Sequence, residues 1–196
     1  MNKMETLCLL CSQPLQSVIS WKLLLTKQFQ PTICERCSAK FEYSSTASAF
    51  YQYNDAMKDY LHQYKFLQDV ALAKVFRQKL YARFKHEKAT IIPIPMHPLK
   101  LRERTFSHME ELLKAAHIPF IQLLEKTTAE TQSSKNREQR IQAAPLFRLM
   151  DGAHVEHKEY LLFDDIKTTG TTLQHATELL LKAGAKNVKS FTLING

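Results

Sequence analysis

The sequence lacks long apolar runs. Runs such as those at residues 91–92 and 23–25 are only a few residues long, whereas a membrane-spanning helix needs about 20 apolar residues. The first residues, Met-Asn-Lys-Met-Glu-Thr, contain no apolar segment of the signal-peptide type. These absences argue against a transmembrane segment and against secretion, so we expect a cytoplasmic protein.

Glycine-rich binding loops are also missing. The chain has 4 glycines in 196 residues, and it contains neither a glycine-rich P-loop followed by Lys-Ser/Thr nor a Rossmann fingerprint. It also contains no nucleophile motif, no internal repeat and no low-complexity segment. These absences argue against a P-loop nucleotide-binding protein, a Rossmann-type dinucleotide-binding protein, an enzyme with a nucleophile motif and a repeat protein.

Acidic residues are too few to balance the basic ones. Asp plus Glu number 19 and Lys plus Arg 27, which gives a formal net charge of +8. This surplus favours an anionic partner, such as a phosphorylated small molecule or a nucleic acid, although a generically basic protein is the alternative. The length and the 44% hydrophobic content indicate one globular domain with a small appendage.

All four cysteines lie near the start of the chain, in two Cys-x-x-Cys pairs formed by Cys8 with Cys11 and by Cys34 with Cys37. Two such pairs are typical of a tetrahedral Zn²⁺ site in a ribbon or knuckle module. Disulfides, free thiols and an iron–sulfur centre are the alternatives. With all four ligand positions filled, the zinc would be structural, and so small a module would hardly fold without it. We therefore predict a zinc-binding module at 1–45 and a second domain at 46–196.

The second domain alternates between strand-like and helix-like segments, which predicts a mostly parallel sheet flanked by helices. The sequence predicts strands at residues 50–53, 90–94, 118–124, 160–163 and 188–193, and helices from residue 54 or 55, at 68–84, at 107–116 and at 171–183. The polar stretch 125–144 shows no sustained apolar period. It is too long for an ordinary connection, so we predict a mobile functional loop.

Residues 160–173 combine an apolar strand, the carboxylates Asp164 and Asp165, a Thr/Gly loop and a helix. Backbone N–H groups at a helix N-terminus attract phosphate, and Gly170 allows close approach of the backbone. The aspartates suit ribose hydroxyls or a Mg²⁺ ion carried by a diphosphate. The alternative is a strand–turn–helix with a threonine cap and two solvated aspartates.

This segment resembles the phosphoribosyl-pyrophosphate signature of type I phosphoribosyltransferases, and nearly the whole chain resembles the ComF family. The matching features are the cysteine pairs, Tyr-Lys-Phe-Leu-Gln-Asp-Val-Ala-Leu-Ala at 64–73, Ile-Pro-Ile-Pro-Met-His-Pro at 92–98 with Leu-Arg-Glu-Arg at 101–104, Lys126-Thr-Thr with Gln132 and Arg-Glu-Gln-Arg at 137–140, and the Asp-Asp loop. The resemblance implies an α/β fold, with a type I phosphoribosyltransferase-like sheet and an N-terminal zinc ribbon or knuckle.

The resemblance also implies site residues. A ribose phosphate would be bound by Asp164, Asp165, Lys167, Thr168, Thr169, Gly170, Thr171 and Thr172, with the aspartates at the ribose diol and the loop at the 5-phosphate. Pro95, Met96 and His97 would form the pyrophosphate loop. The catalytic candidates are Asp164, Asp165, Lys126, Arg137 and Arg140, of which the three cations would neutralise a diphosphate.

The chain departs from the ComF pattern at Lys167 and in the segment 104–108, where the family usually has Arg-Gly-Phe-Asn-Gln and this chain has Arg-Thr-Phe-Ser-His. Thr105 and His108 stand where the family usually has glycine and glutamine, and Lys167 stands where an aromatic residue is common. The loss of glycine changes the backbone freedom beside the pyrophosphate loop. These departures bear on catalysis more than on the binding of a ribose phosphate.

Family resemblance implies a competence protein that acts on incoming single-stranded DNA during natural transformation. The implied partners are single-stranded DNA, a phosphoribosyl ligand and the ComF-operon DNA helicase, with recruitment to the inner face of the membrane through the uptake machinery. One alternative is a Mg²⁺-dependent phosphoribosyltransferase with an unidentified acceptor. Another is an adaptor protein that binds the helicase through its zinc module.

Overall fold

The computed structural model describes residues 6–15, 29–127 and 145–196. Most of the predicted loop at 125–144 lies outside the described residues, and so do two of the catalytic candidates, Arg137 and Arg140. The described part contains the following helices and strands: α1 (Glu35–Ser38), β1 (Ala49–Gln52), α2 (Asp55–Lys65), a 3-10 helix (Val70–Lys74), α3 (Arg77–Phe84), β2 (Thr90–Pro93), α4 (Pro98–Arg104), α5 (His108–Ala115), β3 (Leu124–Lys126), β4 (Phe147–Leu149), β5 (Glu159–Lys167), α6 (Thr171–Lys182) and β6 (Asn187–Asn195).

Four strands form a parallel sheet in the order β1-β6-β5-β2, as the alternation of strands and helices predicts. In β5, Phe163 pairs with Pro93 of β2 on one side and with Phe191 of β6 on the other. The loops that follow β2 and β5 therefore leave the sheet at the same edge. Ligands of open α/β sheets bind at this carboxyl edge.

The two faces of the sheet are covered by separate hydrophobic clusters. Leu161 and Phe163 of β5 face a cluster to which α2, α3 and α5 contribute. Tyr160 and Leu162 face a second cluster, built with α6 and with the antiparallel pair β3–β4. A strand that is buried on both faces explains why β5 reads as a continuous apolar run in the sequence.

The predicted helix at 68–84 is wrong as a single element. Gln68 has a left-handed φ of 57°, and Asp69 caps a 3-10 helix by accepting the N–H of Ala71. The chain then turns at the buried Phe76, whose φ of −102° and ψ of 6° are not helical, before α3 begins. The segment is thus a 3-10 helix followed by a separate α-helix, although its apolar spacing alone favours one continuous helix.

Two further expectations differ from the structure. The predicted strand at 118–124 is mostly an extended segment, which contacts β2 through the Ile121 N–H and the Ile91 carbonyl (3.0 Å) before β3 begins at Leu124. The helix α4 was not predicted. It begins at Pro98, which has the fixed φ that favours a first helical turn, and the ring of His97 caps it by accepting the Leu99 N–H.

Among the residues that the structure describes, none of the helices combines the length and the apolar content that crossing a membrane requires.

Candidate functional site

The carboxylates of Asp164 and Asp165 lie at the carboxyl edge of the sheet, within the last part of β5. Both are buried, with 9% and 7% of the residue exposed, and so differ from the solvated pair of the alternative reading. One carboxylate oxygen of Asp164 accepts the N–H of Asp165 at 2.9 Å. Burying two adjacent carboxylates is costly unless cations or donors accompany them.

The cation that meets the aspartates is Lys65, the last residue of α2. Its ammonium forms an ion pair with Asp165, and its side chain is 14% exposed. Burial lowers the pKa of Lys65 to about 8, and the charges of Arg104 and Lys100 act in the same direction, while Asp164 opposes them. The site therefore contains an internal ammonium that the sequence analysis did not identify.

Burial raises the pKa of Asp164 to about 6, although the nearby ammonium groups of Lys65 and Lys126 oppose the shift. Lys126 belongs to β3, so the β3–β4 pair places a cation over the edge of the sheet. Burial also lowers the pKa of Lys126, and the charge of Lys100 contributes to that lowering. Several positively charged groups thus lie beside the two carboxylates, and their combined charge favours the binding of an additional anion.

The threonine loop connects β5 to α6. Gly170 precedes the helix with a φ of 77°, a backbone conformation that residues with a Cβ rarely adopt. A Cβ there would also lie 3.3 Å from Cε of Lys167. The hydroxyls of Thr169 and Thr171 are 2.9 Å apart. The loop thus brings hydroxyls and the first N–H groups of α6 to the same edge of the sheet as the aspartates.

The predicted pyrophosphate loop follows β2 at this same edge. Pro95, Met96 and His97 are all partly exposed. His97 caps α4, because its ring nitrogen accepts the Leu99 N–H. At the other end of α4, Thr105 has a left-handed φ of 65°. A threonine therefore holds the conformation that the family's glycine would adopt with less strain.

The imidazole of His108 is buried behind the pyrophosphate loop. Its Nδ1 lies 2.9 Å from Sδ of Met96, and its Nε2 lies 4.0 Å from an oxygen of Asp165. Burial, together with the charges of Lys65, Arg104 and Lys126, lowers the pKa of His108 well below its usual value. The ring is therefore neutral near neutral pH and adds no charge to the site.

The four cysteine thiols form a second cluster. All four sulfur atoms lie within 4.8 Å of one another, and those of Cys11 and Cys34 are 3.7 Å apart. A tetrahedron with Zn–S bonds of about 2.3 Å has edges of about 3.8 Å. The thiols are thus spaced as metal ligands, and the cluster is compatible with a zinc module.

Backbone donors favour the thiolate at Cys8. Burial would raise the pKa of this thiol, but N–H groups that include that of Cys34, 3.3 Å from the sulfur, outweigh burial and lower it to about 6. The Cys37 thiol lacks that compensation, and burial raises its pKa to about 12. A bound cation would stabilise all four thiolates, so the donor set fits a structural metal.

Comparisons with known proteins agree with this arrangement. The family described as "Phosphoribosyl transferase domain" matches residues 60–196. The competence protein ComFC of Streptococcus pneumoniae (strain ATCC BAA-255 / R6) is 33% identical over an alignment of 218 positions, which covers 95% of this chain and 99% of that protein. The chain belongs to the ComFC family. The ComFC protein of Bacillus subtilis (strain 168) is 25% identical over an alignment of 229 positions, which covers 97% of this chain and 95% of that protein.

Solved phosphoribosyltransferases are similar to this ComFC-family chain at low identity. The adenine phosphoribosyltransferase of Leishmania donovani is 13% identical with a TM-score of 0.46, over 78% of this chain and 86% of that one. A hypoxanthine phosphoribosyltransferase of Staphylococcus aureus is 17% identical with a TM-score of 0.40, over 65% and 64% of the two chains. Because these scores are below 0.5, the type I phosphoribosyltransferase fold rests on the domain match and on the observed parallel sheet.

In this ComFC-family fold, the predicted ribose-phosphate residues and the predicted pyrophosphate loop converge on one edge of the sheet, together with Lys126. Lys65, Arg104 and His108 join them there, and the sequence analysis assigned none of these three to the site. The signal that could have found Lys65 and Arg104 is the family match at 64–73 and 101–104. No local pattern connects either segment to Asp165.

Proposed function

We propose that this ComFC-family chain binds a phosphorylated ribose at residues 164–172 and handles incoming single-stranded DNA in natural transformation. The family membership supports the competence role. Ligand binding is supported by one observation. Asp164, Asp165, the threonine loop and the N-terminus of α6 converge at one edge of the sheet.

In this proposal the two ends of the site divide the ligand between them. The carboxylates accept hydrogen bonds from the ribose hydroxyls, and Lys167, Thr168, Thr169, Gly170, Thr171 and Thr172 surround the 5-phosphate. Lys126 and the loop of Pro95, Met96 and His97 face a group attached at the other end of the ribose. The ligand is a free phosphoribosyl metabolite or the terminal 5′-phosphate of a nucleic acid.

A surface beside this site suits a single strand. None of the residues of α4 is buried, and the helix carries Lys100, Arg102 and Arg104. The guanidinium of Arg104 lies 5.1 Å from the ring centroid of Phe66, which is 64% exposed. Cations suit phosphates and an exposed aromatic ring suits base stacking. We propose that the strand follows this surface, with an affinity that falls as salt rises.

We also propose that the four cysteines hold a structural Zn²⁺ and that the zinc module docks the family's DNA-translocating helicase. The thiol spacing supports the metal. Family membership alone supports the helicase. Turnover is a separate question, because the departures at Thr105 and His108 change the segment next to the pyrophosphate loop.

Ligand-dependent melting tests the binding proposal. Ribose-5-phosphate, the phosphoribosyl pyrophosphate donor and 5′-phosphorylated single strands should each raise the melting temperature of the wild type, because a ligand of the folded state stabilises it by about 2.7 kcal/mol at a hundred times its Kd. The shift should disappear in Asp164→Ala. It should persist in Asp59→Ala, since Asp59 is an exposed residue of α2.

The absence of a shift with every ligand would contradict the ribose-phosphate site. Release of pyrophosphate from the donor in the presence of Mg²⁺ and candidate acceptors, abolished by Asp165→Ala, would instead establish an active phosphoribosyltransferase. A normal transformation frequency in Asp164→Ala cells, combined with loss of helicase binding on deletion of residues 1–45, would favour the adaptor.

A further inference from the structure

The acidic end of the ribose-phosphate site is already neutralised by the protein. Asp164 and Asp165 are adjacent and buried, and two carboxylates in this position need a counter-charge. One source of that charge is Mg²⁺, whose preferred ligands are oxygens in near-octahedral geometry. The structure provides another cation, the ammonium of Lys65, which contacts Asp165 directly.

Lys65 is held in this position by its surroundings. It is the last residue of α2, and the preceding residue, Tyr64, donates its hydroxyl to the carbonyl of His108 at 2.6 Å. The backbone N–H of Phe66 closes the helix on the carbonyl of His62. These contacts anchor the end of α2, where the side chain of Lys65 is 14% exposed.

The oxygens that a metal ion would use have nitrogen neighbours. One oxygen of Asp165 contacts Lys65, and the other lies 4.0 Å from Nε2 of His108. An oxygen of Asp164 accepts the N–H of Asp165. Among the described residues, the four cysteines are the only group of three or more metal-binding side chains close enough to share an ion. A divalent cation bound through the Asp165 oxygen that contacts Lys65 would therefore have to displace that ammonium.

The charges around the pair lead to the same result. Lys100 and Arg104 lie close enough to lower the pKa of Lys65, Lys100 also lowers that of Lys126, and Lys65 and Lys126 both act on the pKa of Asp164. Four cations beside two carboxylates already leave a positive surplus for an anionic ligand. A divalent ion placed at the aspartates would add repulsion with Lys65 rather than a missing charge.

We propose that the Lys65 ammonium takes the place of a divalent cation at the aspartates, so that a ribose phosphate binds residues 164–172 without Mg²⁺. This inference rests on the proposed ribose-phosphate site and names Lys65 as the source of the positive charge that the aspartates of that site need. Lys65 is a positioning residue here, since it acts by holding the carboxylates ionised and oriented toward the ribose hydroxyls.

The test measures binding of ribose-5-phosphate by calorimetry with and without added MgCl₂. This probe carries no diphosphate, so any effect of Mg²⁺ reports on the aspartates rather than on a chelated leaving group. The buffers are prepared metal-free without a chelator, because a chelator would also attack a zinc site. The wild type should bind with less than about a twofold change in Kd on adding Mg²⁺.

Substitution of Lys65 should create a requirement for the metal. In Lys65→Met the Kd without Mg²⁺ should rise at least about tenfold, which corresponds to the loss of a charge-assisted interaction, and added MgCl₂ should restore part of the affinity. Lys65→Arg keeps the charge and should stay independent of Mg²⁺. Lys58→Met, an exposed position on α2, should behave as the wild type.

The outcomes separate this inference from the function on which it rests. Binding by the wild type only in the presence of Mg²⁺ overturns the role of Lys65 and leaves the ribose-phosphate site standing. Absence of binding under every condition overturns both. If Lys65→Met does not fold, as judged by its melting transition, the wild type and Lys65→Arg still decide, since Mg²⁺-dependent binding in either contradicts the proposal.

Discussion

The cysteine cluster and the aspartate pair each concentrate groups that become anionic, but they differ in the source of the compensating charge. The thiols of Cys8, Cys11, Cys34 and Cys37 lie within 4.8 Å of one another and are arranged as ligands for an added metal. The aspartates have the ammonium of Lys65 already in contact. On the proposed roles, the cysteine cluster would take its compensating ion from solution, whereas the aspartate pair has an ammonium group of the protein itself in contact.

The largest expected effect comes from removing a metal ligand. Cys37→Ser should abolish zinc retention and unfold the cysteine module, because structural zinc contributes about 10–16 kcal/mol of apparent binding free energy in small zinc domains. Zinc content by mass spectrometry and the melting transition measure the result. Ser38→Ala, at the adjacent position in α1, is the control and should retain the metal. If the wild type contains no zinc and its melting transition is unchanged, the cysteine cluster does not depend on an added ion, and this half of the comparison is wrong.

A smaller effect is expected from the aspartate side. Lys65→Met should lower the free energy of unfolding by about 3–5 kcal/mol, because it leaves Asp165 buried beside no ammonium. Adding Asp165→Asn to that variant should recover part of the loss. Urea unfolding of the wild type, both single variants and the double variant gives the coupling energy. Strictly additive effects would show that the ion pair contributes nothing to stability.

The smallest effect concerns pH. The folded-state pKa of Asp164 is raised from 3.8 to about 6, so the folded state binds more protons than the unfolded state between these values. Its contribution to stability is therefore present below pH 3.8 and is lost as pH rises through about 6. The loss should be about 3 kcal/mol, since one pKa unit corresponds to about 1.4 kcal/mol.

Asp164→Asn should lack this component, so the difference in unfolding free energy between wild type and variant should change across that pH range. Using the difference removes any acid-induced loss of zinc, which both proteins share. A pH-independent difference would mean that the carboxylate is charged throughout, and that Lys65 and Lys126 outweigh its burial.

The sequence predicts those parts of the molecule whose determinants are local. The spacing of the cysteine pairs, the strand–loop–helix around Asp164 and the alternation that produces a parallel sheet all depend on short segments. Lys65 could not be found in this way, because it lies a hundred positions before Asp165 and meets it only when α2 packs on the sheet. The break at Phe76 was missed for a similar reason, since apolar periodicity continues across it.

The segment beside the proposed ribose-phosphate site also departs from the family pattern. A threonine in place of glycine at position 105 predicts an altered backbone, yet Thr105 has a left-handed φ of 65°, which is a conformation that glycine favours. The sequence can indicate that a position is unusual. Whether an unusual residue changes the backbone conformation depends on the contacts of α4, and these contacts cannot be read from the local sequence.

The parallel sheet ends at β2, and the prolines around it determine what can approach that edge. The N–H of Ile94 points toward β5, where it donates to the carbonyl of Phe163. By alternation, Pro93 and Pro95 occupy the outward positions, where other residues would present open donors. A second chain therefore finds few groups with which to extend the sheet, so this edge, which borders the proposed ligand site, is protected from strand-to-strand aggregation.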